Sequence, residues 1–216
     1  MQNSFLKEKK YKIIWIGDTG VGKTCLLIKA QKHVFENENK STLGFEYYDI
    51  TINLKNNKKI TLQTWDTCGE ESYKSIAKIF YNRVELAILV YSINNKQSFE
   101  GLHFWLNEIR SKSKENVKLI LVGNKSDLTE EREVTYDEGK AFSQSEGFDF
   151  FLETSAKEGD TPYLILRKAA EILYKDSKEK EKKNEIKNDN YDSESFSLDE
   201  HKEIKQNNFD SCDNCI

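Results

Sequence analysis

The sequence predicts a doubly wound α/β domain followed by an unstructured tail. Three observations carry that prediction. Short runs of near-continuous Val, Ile and Leu recur along the first 175 residues, amphipathic helical segments alternate with them, and both patterns stop near residue 176. At 216 residues the chain is long enough for one well-buried domain plus an appendage.

The first apolar run is KIIWIG (12–17), and VELAILVYSI (84–93) and VKLILVG (117–123) repeat its character. Runs that are apolar throughout suit parallel strands covered on both faces. Between the first two runs, EYYDITINL (46–54) and KITLQTW (59–65) flank KNNK and read as an antiparallel hairpin. FDFFLET (148–154) reads as the last strand.

Helices fall between the strands. CLLIKAQK follows the first one, and SFEGLHFWLNEIR sets Phe99, Leu102, Trp105, Leu106 and Ile109 at helical spacing. VTYDEGKAFSQSEG has Thr135 as an N-cap and Gly147 as a stop. TPYLILRKAAEILYK puts Thr161 at the N-cap and Pro162 at the first helical position, where a missing N–H costs least.

From Asp176 onward there are 12 acidic residues against 7 lysines, a balance of −5 in a chain whose total is −4. That stretch is polar, has no sustained periodicity and offers too little apolar surface to offset ordering. Residues 8–175 are therefore expected to form the domain and 176–216 a disordered tether. The nearly neutral body gives no electrostatic case for nucleic-acid binding. A single proline and 32% charged residues exclude Pro-rich and collagen-like classes. No apolar run reaches the length of a membrane span, and MQNSFLKEKKYK lacks a signal-peptide core, so a soluble intracellular protein is expected. The cysteines are Cys25, Cys68, Cys212 and Cys215, a spacing that makes no disulfide framework. Cys25 and Cys68 read as small packing residues.

Three loops carry the chemistry. GDTGVGKT (17–24) satisfies G-x-x-x-x-G-K-[ST] directly after a strand and before a helix. The backbone N–H groups of such a loop, here from Gly20 through Val21, Gly22, Lys23, Thr24 and Cys25, point inward around phosphate, helped by the helix N-terminus. Lys23 would reach the terminal phosphates and the Thr24 hydroxyl would ligate Mg²⁺. The loop alone does not choose between ATP and GTP. NKSD (124–127), with Asn124, Lys125 and Asp127, ends the strand VKLILVG, where ligands of open parallel sheets bind. The Asp127 carboxylate can accept both the N1–H and the exocyclic amine of guanine, a donor pair that adenine lacks. WDTCGEESY (65–73) gathers Asp66, Glu70 and Glu71 around Gly69. Alone, that cluster suits a metal site, acid–base chemistry or a solvated turn.

In that order, GDTGVGKT, WDTCGE, NKSD and ETSAK (153–157) resemble the Ras-superfamily small GTPases over about residues 10–175. The resemblance implies the G-domain form of the α/β fold: a six-stranded, mostly parallel sheet with one antiparallel edge strand and helices on both faces. It also implies a site for GTP/GDP and Mg²⁺. Ser155, Ala156 and Lys157 would close over the base, with the Ala156 N–H meeting the guanine carbonyl, and Phe35 would flank the ring. Thr42 matches the switch I threonine that completes the Mg²⁺ shell and senses the γ-phosphate. Asp66 would hold Mg²⁺ through water, the Gly69 N–H would bond the γ-phosphate, and Glu71 falls where the family commonly has glutamate.

Trp65, STLGFEYYDITI and the helix SFEGLHFWLNEIR look most like the Rab branch, which implies a monomeric switch in vesicle trafficking. Effectors and regulators would then engage switch I near 35–48 and switch II near 67–81. Cys212 and Cys215 resemble double prenylation sites, although the ending DNCI is not a C-a-a-X box and a plain redox or zinc C-x-x-C is the competing reading. One lipid chain anchors marginally without a polybasic patch, and this tail is acidic, so two chains are the natural remedy. The protein would then be cytoplasmic and reversibly attached to the cytosolic face of an intracellular membrane.

The implied reaction is GTP hydrolysis by in-line water attack. Lys23, Thr42, Gly69 and Glu70 are the candidate catalytic groups. Glu70 stands where the family usually has glutamine, whose amide both accepts and donates; an ionised Glu only accepts, which would lower activity through the missing donor or raise it through a stronger base. Thr19 occupies a loop position the family usually keeps small. CGEESY and FYNRV also depart from common Rab sequences in segments that face partners. Other readings are a GTP-binding interaction protein with negligible hydrolysis, a Ras- or Rho-like signalling GTPase, and, more remotely, an ATP-using phosphate-loop enzyme.

Overall fold

The computed structural model describes residues 9–35, 42, 44–68, 81–113 and 116–206. Glu70, Glu71, Gly69, Cys212 and Cys215 lie outside them. The chain divides into two compact units, Met1–Tyr174 and Lys175–Ile216.

Six strands of the first unit form one sheet: β1 (Lys9–Ile16), β2 (Phe45–Asn53), β3 (Lys59–Thr67), β4 (Leu86–Ser92), β5 (Lys118–Asn124) and β6 (Phe150–Glu153). Their order is β2-β3-β1-β4-β5-β6, and every pairing is parallel except the edge pair β2–β3. The helices are α1 (Lys23–Lys32), α2 (Lys96–Glu100), α3 (Leu102–Lys112), α4 (Tyr136–Ser145) and α5 (Thr161–Gln206). This is the mostly parallel, doubly wound arrangement the sequence leads one to expect.

The two-residue period of a strand explains why the central runs are apolar throughout. Ile13 and Trp15 of β1 and Leu86, Ile88 and Val90 of β4 join a core with Leu26, Leu27 and Ala30 of α1 and Ile165, Leu166 and Ala169 of α5. Their neighbours Ile14, Ile16, Ala87, Leu89 and Tyr91 point the other way, against Leu102, Trp105, Leu106 and Ile109 of α3. All of β4 is buried. Each large apolar side chain so placed contributes roughly 1.5–3 kcal/mol of transfer free energy.

The hairpin turns through a short 3₁₀ segment, Lys55–Asn57, closed by the Leu54 N–H donating to the Lys58 carbonyl at 2.8 Å. Its register runs from Phe45 opposite Thr67 to Asn53 opposite Lys59. The segment expected as one helix, SFEGLHFWLNEIR, is two. Asn95 caps α2 by accepting the Ser98 N–H at 2.9 Å, and Gly101, a poor helix former, separates α2 from α3.

Thr135 caps α4 in a reciprocal box: its hydroxyl accepts the Glu138 N–H at 3.2 Å and the Glu138 carboxylate accepts the Thr135 N–H at 2.8 Å. Gly147, at φ +67°, ends the helix, with the Phe148 N–H returning to the Ser143 carbonyl at 2.9 Å and the Gly147 N–H to Gln144 at 3.3 Å. Thr135→Ala is expected to lower stability by about 1 kcal/mol in urea unfolding. The Lys96 ammonium, with the Thr135 N–H and hydroxyl, holds the Glu138 carboxyl down to about 2. Its contribution is therefore complete above the ordinary value of 4.5 and fades only as pH falls towards 2.

α5 begins at Thr161, so Pro162 occupies the second helical position rather than the first. The helix continues to Gln206. Lack of an apolar face argues against tertiary burial, not against helicity. Lys and Glu are good helix formers, and ion pairs at helical spacing reinforce them: Lys180–Asp176 at 2.5 Å, Lys178–Glu181 at 2.7 Å and Lys175–Glu179 at 3.9 Å. No helix among the described residues is long and apolar enough to cross a membrane.

Candidate functional site

Parallel strands bring their carboxyl ends to one edge of a sheet, and the loops that leave that edge are where ligands bind. Register aligns Trp15 with Asp66, Ile16 with Leu89, Ser92 with Asn124 and Gly123 with Glu153. The carboxyl ends of β1, β3, β5 and β6 therefore lie along one edge, although their sequences lie far apart.

The loop after β1 needs glycine at two close approaches. At Gly17, φ is +143° and a Cβ would lie 2.2 Å from the Val90 carbonyl oxygen; at Gly22, φ is +93° and a Cβ would lie 2.4 Å from Asn124 Nδ2. The loop folds around its own lysine. Lys23 is 5% exposed, and its Nζ donates to the carbonyls of Gly17 at 2.8 Å and Asp18 at 2.9 Å. Burial pulls the ammonium down to about 8, with Asp66 and Asp18 opposing the shift.

Thr24, at the start of α1, meets two groups from elsewhere. Its Oγ1 donates to Asp66 Oδ2 at 2.5 Å and lies 2.7 Å from Thr42 Oγ1. Asp66 is fully buried at the end of β3, and burial raises its carboxyl to about 6 against the pull of the Thr24 hydroxyl and Lys23. Its Oδ1 has no hydrogen-bond partner among the described residues. A buried carboxylate with an unsatisfied oxygen is costly, and two hydroxyls beside it complete an all-oxygen donor set. Such a set fits a hard divalent cation. No cluster of three or more His, Cys, Asp or Glu offers a competing metal site among the described residues.

At the other end, Lys125 turns the chain after β5 with φ +62°. Asn124 then joins both halves of the site: its Nδ2 donates to the Val21 carbonyl at 2.7 Å and its Oδ1 accepts the Ala156 N–H at 3.2 Å. The Ala156 N–H assigned by resemblance to the guanine carbonyl thus bonds Asn124 in this structure. Ser155 Oγ donates to Asp127 Oδ1 at 2.6 Å while accepting the N–H groups of Lys157 and Glu158, each at 3.0 Å. A hydroxyl with both roles filled holds its carboxylate in one orientation.

Most of these groups line one cavity of about 430 Å³. Thr19, Gly20, Gly22, Lys23, Thr24 and Cys25 form the wall from the first loop; Phe35 and Thr42 come from the following segment; and Asn124, Lys125, Asp127, Ala156 and Lys157 close the far end. Val21, Asp66 and Ser155 are buried and are not part of its wall. Cys68 is buried and Cys25 packs against the core, as small packing residues do, and both also border the cavity. Sequence reasoning missed the double role of Asn124, although a side-chain amide at a strand end, with donors and an acceptor, is suited to bridging two loops. It also missed Thr67, whose hydroxyl donates to the Trp15 carbonyl at 2.7 Å and ties β3 to β1 beside Asp66.

Residues 12–175 match the family model described as the Ras family. The chain belongs to the Ras family. Among curated proteins this Ras-family chain is 43% identical over 148 residues to Ras-related protein RGP2 of Oryza sativa subsp. japonica, covering 68% of this chain and 67% of the rice protein. It is 37% identical over 161 residues to Ras-related protein Rab-19 of Xenopus laevis, covering 73% of this chain and 75% of that one. The chain is a Rab-like small GTP-binding protein.

Proposed function

We propose that this Ras-family chain binds GTP and GDP with Mg²⁺ in the 430 Å³ cavity, hydrolyses GTP to GDP, and acts as a monomeric membrane-trafficking switch. The meeting of Thr24, Thr42 and Asp66 carries the reading. Thr42 lies outside the phosphate loop, yet its hydroxyl is 2.7 Å from that of Thr24. A group that reports on the metal and phosphate from the segment between α1 and β2 is what a switch requires.

Thr24, Thr42 and Asp66 would hold Mg²⁺. Bound there, the ion would supply positive charge that offsets the negative charge of the phosphates. The N–H groups of residues 20–25 surround the phosphates, and Lys23 turns a third donor towards them. Asp127, held by Ser155, accepts the two donors of guanine, while Phe35 covers the ring. In the reaction a water oxygen bonds to the γ-phosphorus, the bond to the β–γ bridging oxygen breaks, and GDP and phosphate leave. The chain's contribution is alignment and charge stabilisation, with the Gly69 N–H on the γ-phosphate.

Glu70 sets the rate. An ionised carboxylate accepts from water but gives no hydrogen bond to the γ-phosphate and is repelled by it. Glu70→Gln restores the donor and is expected to speed single-turnover hydrolysis on the order of tenfold. A slower variant would instead make Glu70 the base. Wild type that binds GTP tightly without turnover would favour the second reading, a GTP-binding interaction protein, which Thr19 on the cavity wall also supports.

Cys212 and Cys215 are the proposed prenylation sites, attaching the chain to the cytosolic face of an intracellular membrane while switch I and switch II meet effectors and regulators. Mass spectrometry of protein from its native cell should find both cysteines lipidated; two unmodified thiols would remove the tether.

A further inference from the structure

Asp18 belongs to the phosphate loop by its main chain and to α3 by its side chain. Its carbonyl accepts Lys23 Nζ at 2.9 Å, while its Oδ1 accepts the indole N–H of Trp105, 87 positions along the chain, at 2.7 Å. The carboxylate also presses on the junction of α2 and α3: a Cβ at Gly101 would come within 2.8 Å of Oδ2 and 3.1 Å of Oδ1. Trp105 is 5% exposed and packs with Ile14, Leu89 and Leu106, so its ring is fixed by the core rather than by the loop.

A carboxylate in an anion-binding loop is an electrostatic liability, because an unrestrained one would repel phosphate. Here it is turned onto the indole nitrogen, the single polar atom of the Trp105 side chain. That bond fixes the orientation of Asp18, whose carbonyl is one of the two that hold Lys23. We infer that Trp105 is a positioning residue for the phosphate loop: by binding the Asp18 carboxylate it keeps that charge off the phosphates and sets the carbonyl that aims Lys23. The inference rests on the reading that a nucleotide's phosphates occupy this loop.

The test uses the full chain and fluorescent GDP, with Lys23→Ala alongside. Trp105→Phe keeps a ring but loses the N–H, and is expected to release GDP about tenfold faster, the scale of one hydrogen bond to a charged group. Competition by GMP, which lacks the phosphates Lys23 reaches, should be unchanged. Placed in an Asp18→Ala background, Trp105→Phe should add nothing, whereas a packing defect would add the same increment in either background and overturn the inference. Should Trp105→Phe fail to fold, Asp18→Asn, which keeps the acceptor, is expected to restore the slow release that Asp18→Ala loses. Equal release from the two Asp18 variants would also overturn it. If wild type binds GDP and Lys23→Ala does not, those negative results count against Trp105 alone; no GDP binding by wild type would overturn both readings.

Discussion

Lys23→Ala is expected to weaken GDP and GTP binding at least about 100-fold, measured by calorimetry or fluorescent-nucleotide titration, because a charge-assisted contact to phosphate is lost in a buried setting. The side chain has a second task. Its Nζ satisfies the carbonyls of Gly17, in a buried bond, and of Asp18, in a part-buried one, so truncation also removes the donor from both and loosens the cradle. The loss should therefore exceed that of a single ion pair, and the thermal midpoint should respond less to added GDP. The ammonium, lowered to about 8, is still mainly charged at neutral pH. Affinity that is unchanged in Lys23→Ala would reject the phosphate role of the loop.

Asp127→Asn is expected to lower GTP affinity by roughly 10²–10⁴-fold while raising the relative affinity for xanthosine triphosphate. The Ser155 hydroxyl, 2.6 Å from Asp127 Oδ1, can donate equally well to an amide oxygen, so the side chain should keep its orientation. What changes is the pattern presented to the base. The carboxylate offers two acceptors; the amide offers one acceptor and a donor that matches the xanthine carbonyl and collides with the guanine amine. Competition binding with the two nucleotides reads the switch directly, and retained GTP preference would remove Asp127 from the base site.

Much of this was legible in the chain, for identifiable reasons. β4 and β5 could be read because burial on both faces demands apolar residues at every position, and Thr135 and Gly147 because capping and left-handed turns admit few residue types. The meeting of Thr24, Thr42 and Asp66 came from family resemblance; nothing in local pattern brings residues 24, 42 and 66 together. The division of α2 from α3 at Gly101 escaped notice because Gly101 interrupts an apolar period that continues beyond it. The contact between Asp18 and Trp105 was invisible, since a tryptophan on an apolar face reads as core whether or not its nitrogen has a partner.

The amide of Asn124 has a thermodynamic consequence. Because one side chain joins Val21 of the first loop to Ala156 of the last, a nucleotide spanning the cavity binds a single mechanical unit. Occupancy at either end then stabilises the folded chain as a whole by mass action, worth about 4 kcal/mol when free ligand stands at 1,000 times its dissociation constant. The melting temperature of this protein is therefore a property of the solution as well as of the chain, and two preparations are comparable only at the same free nucleotide concentration.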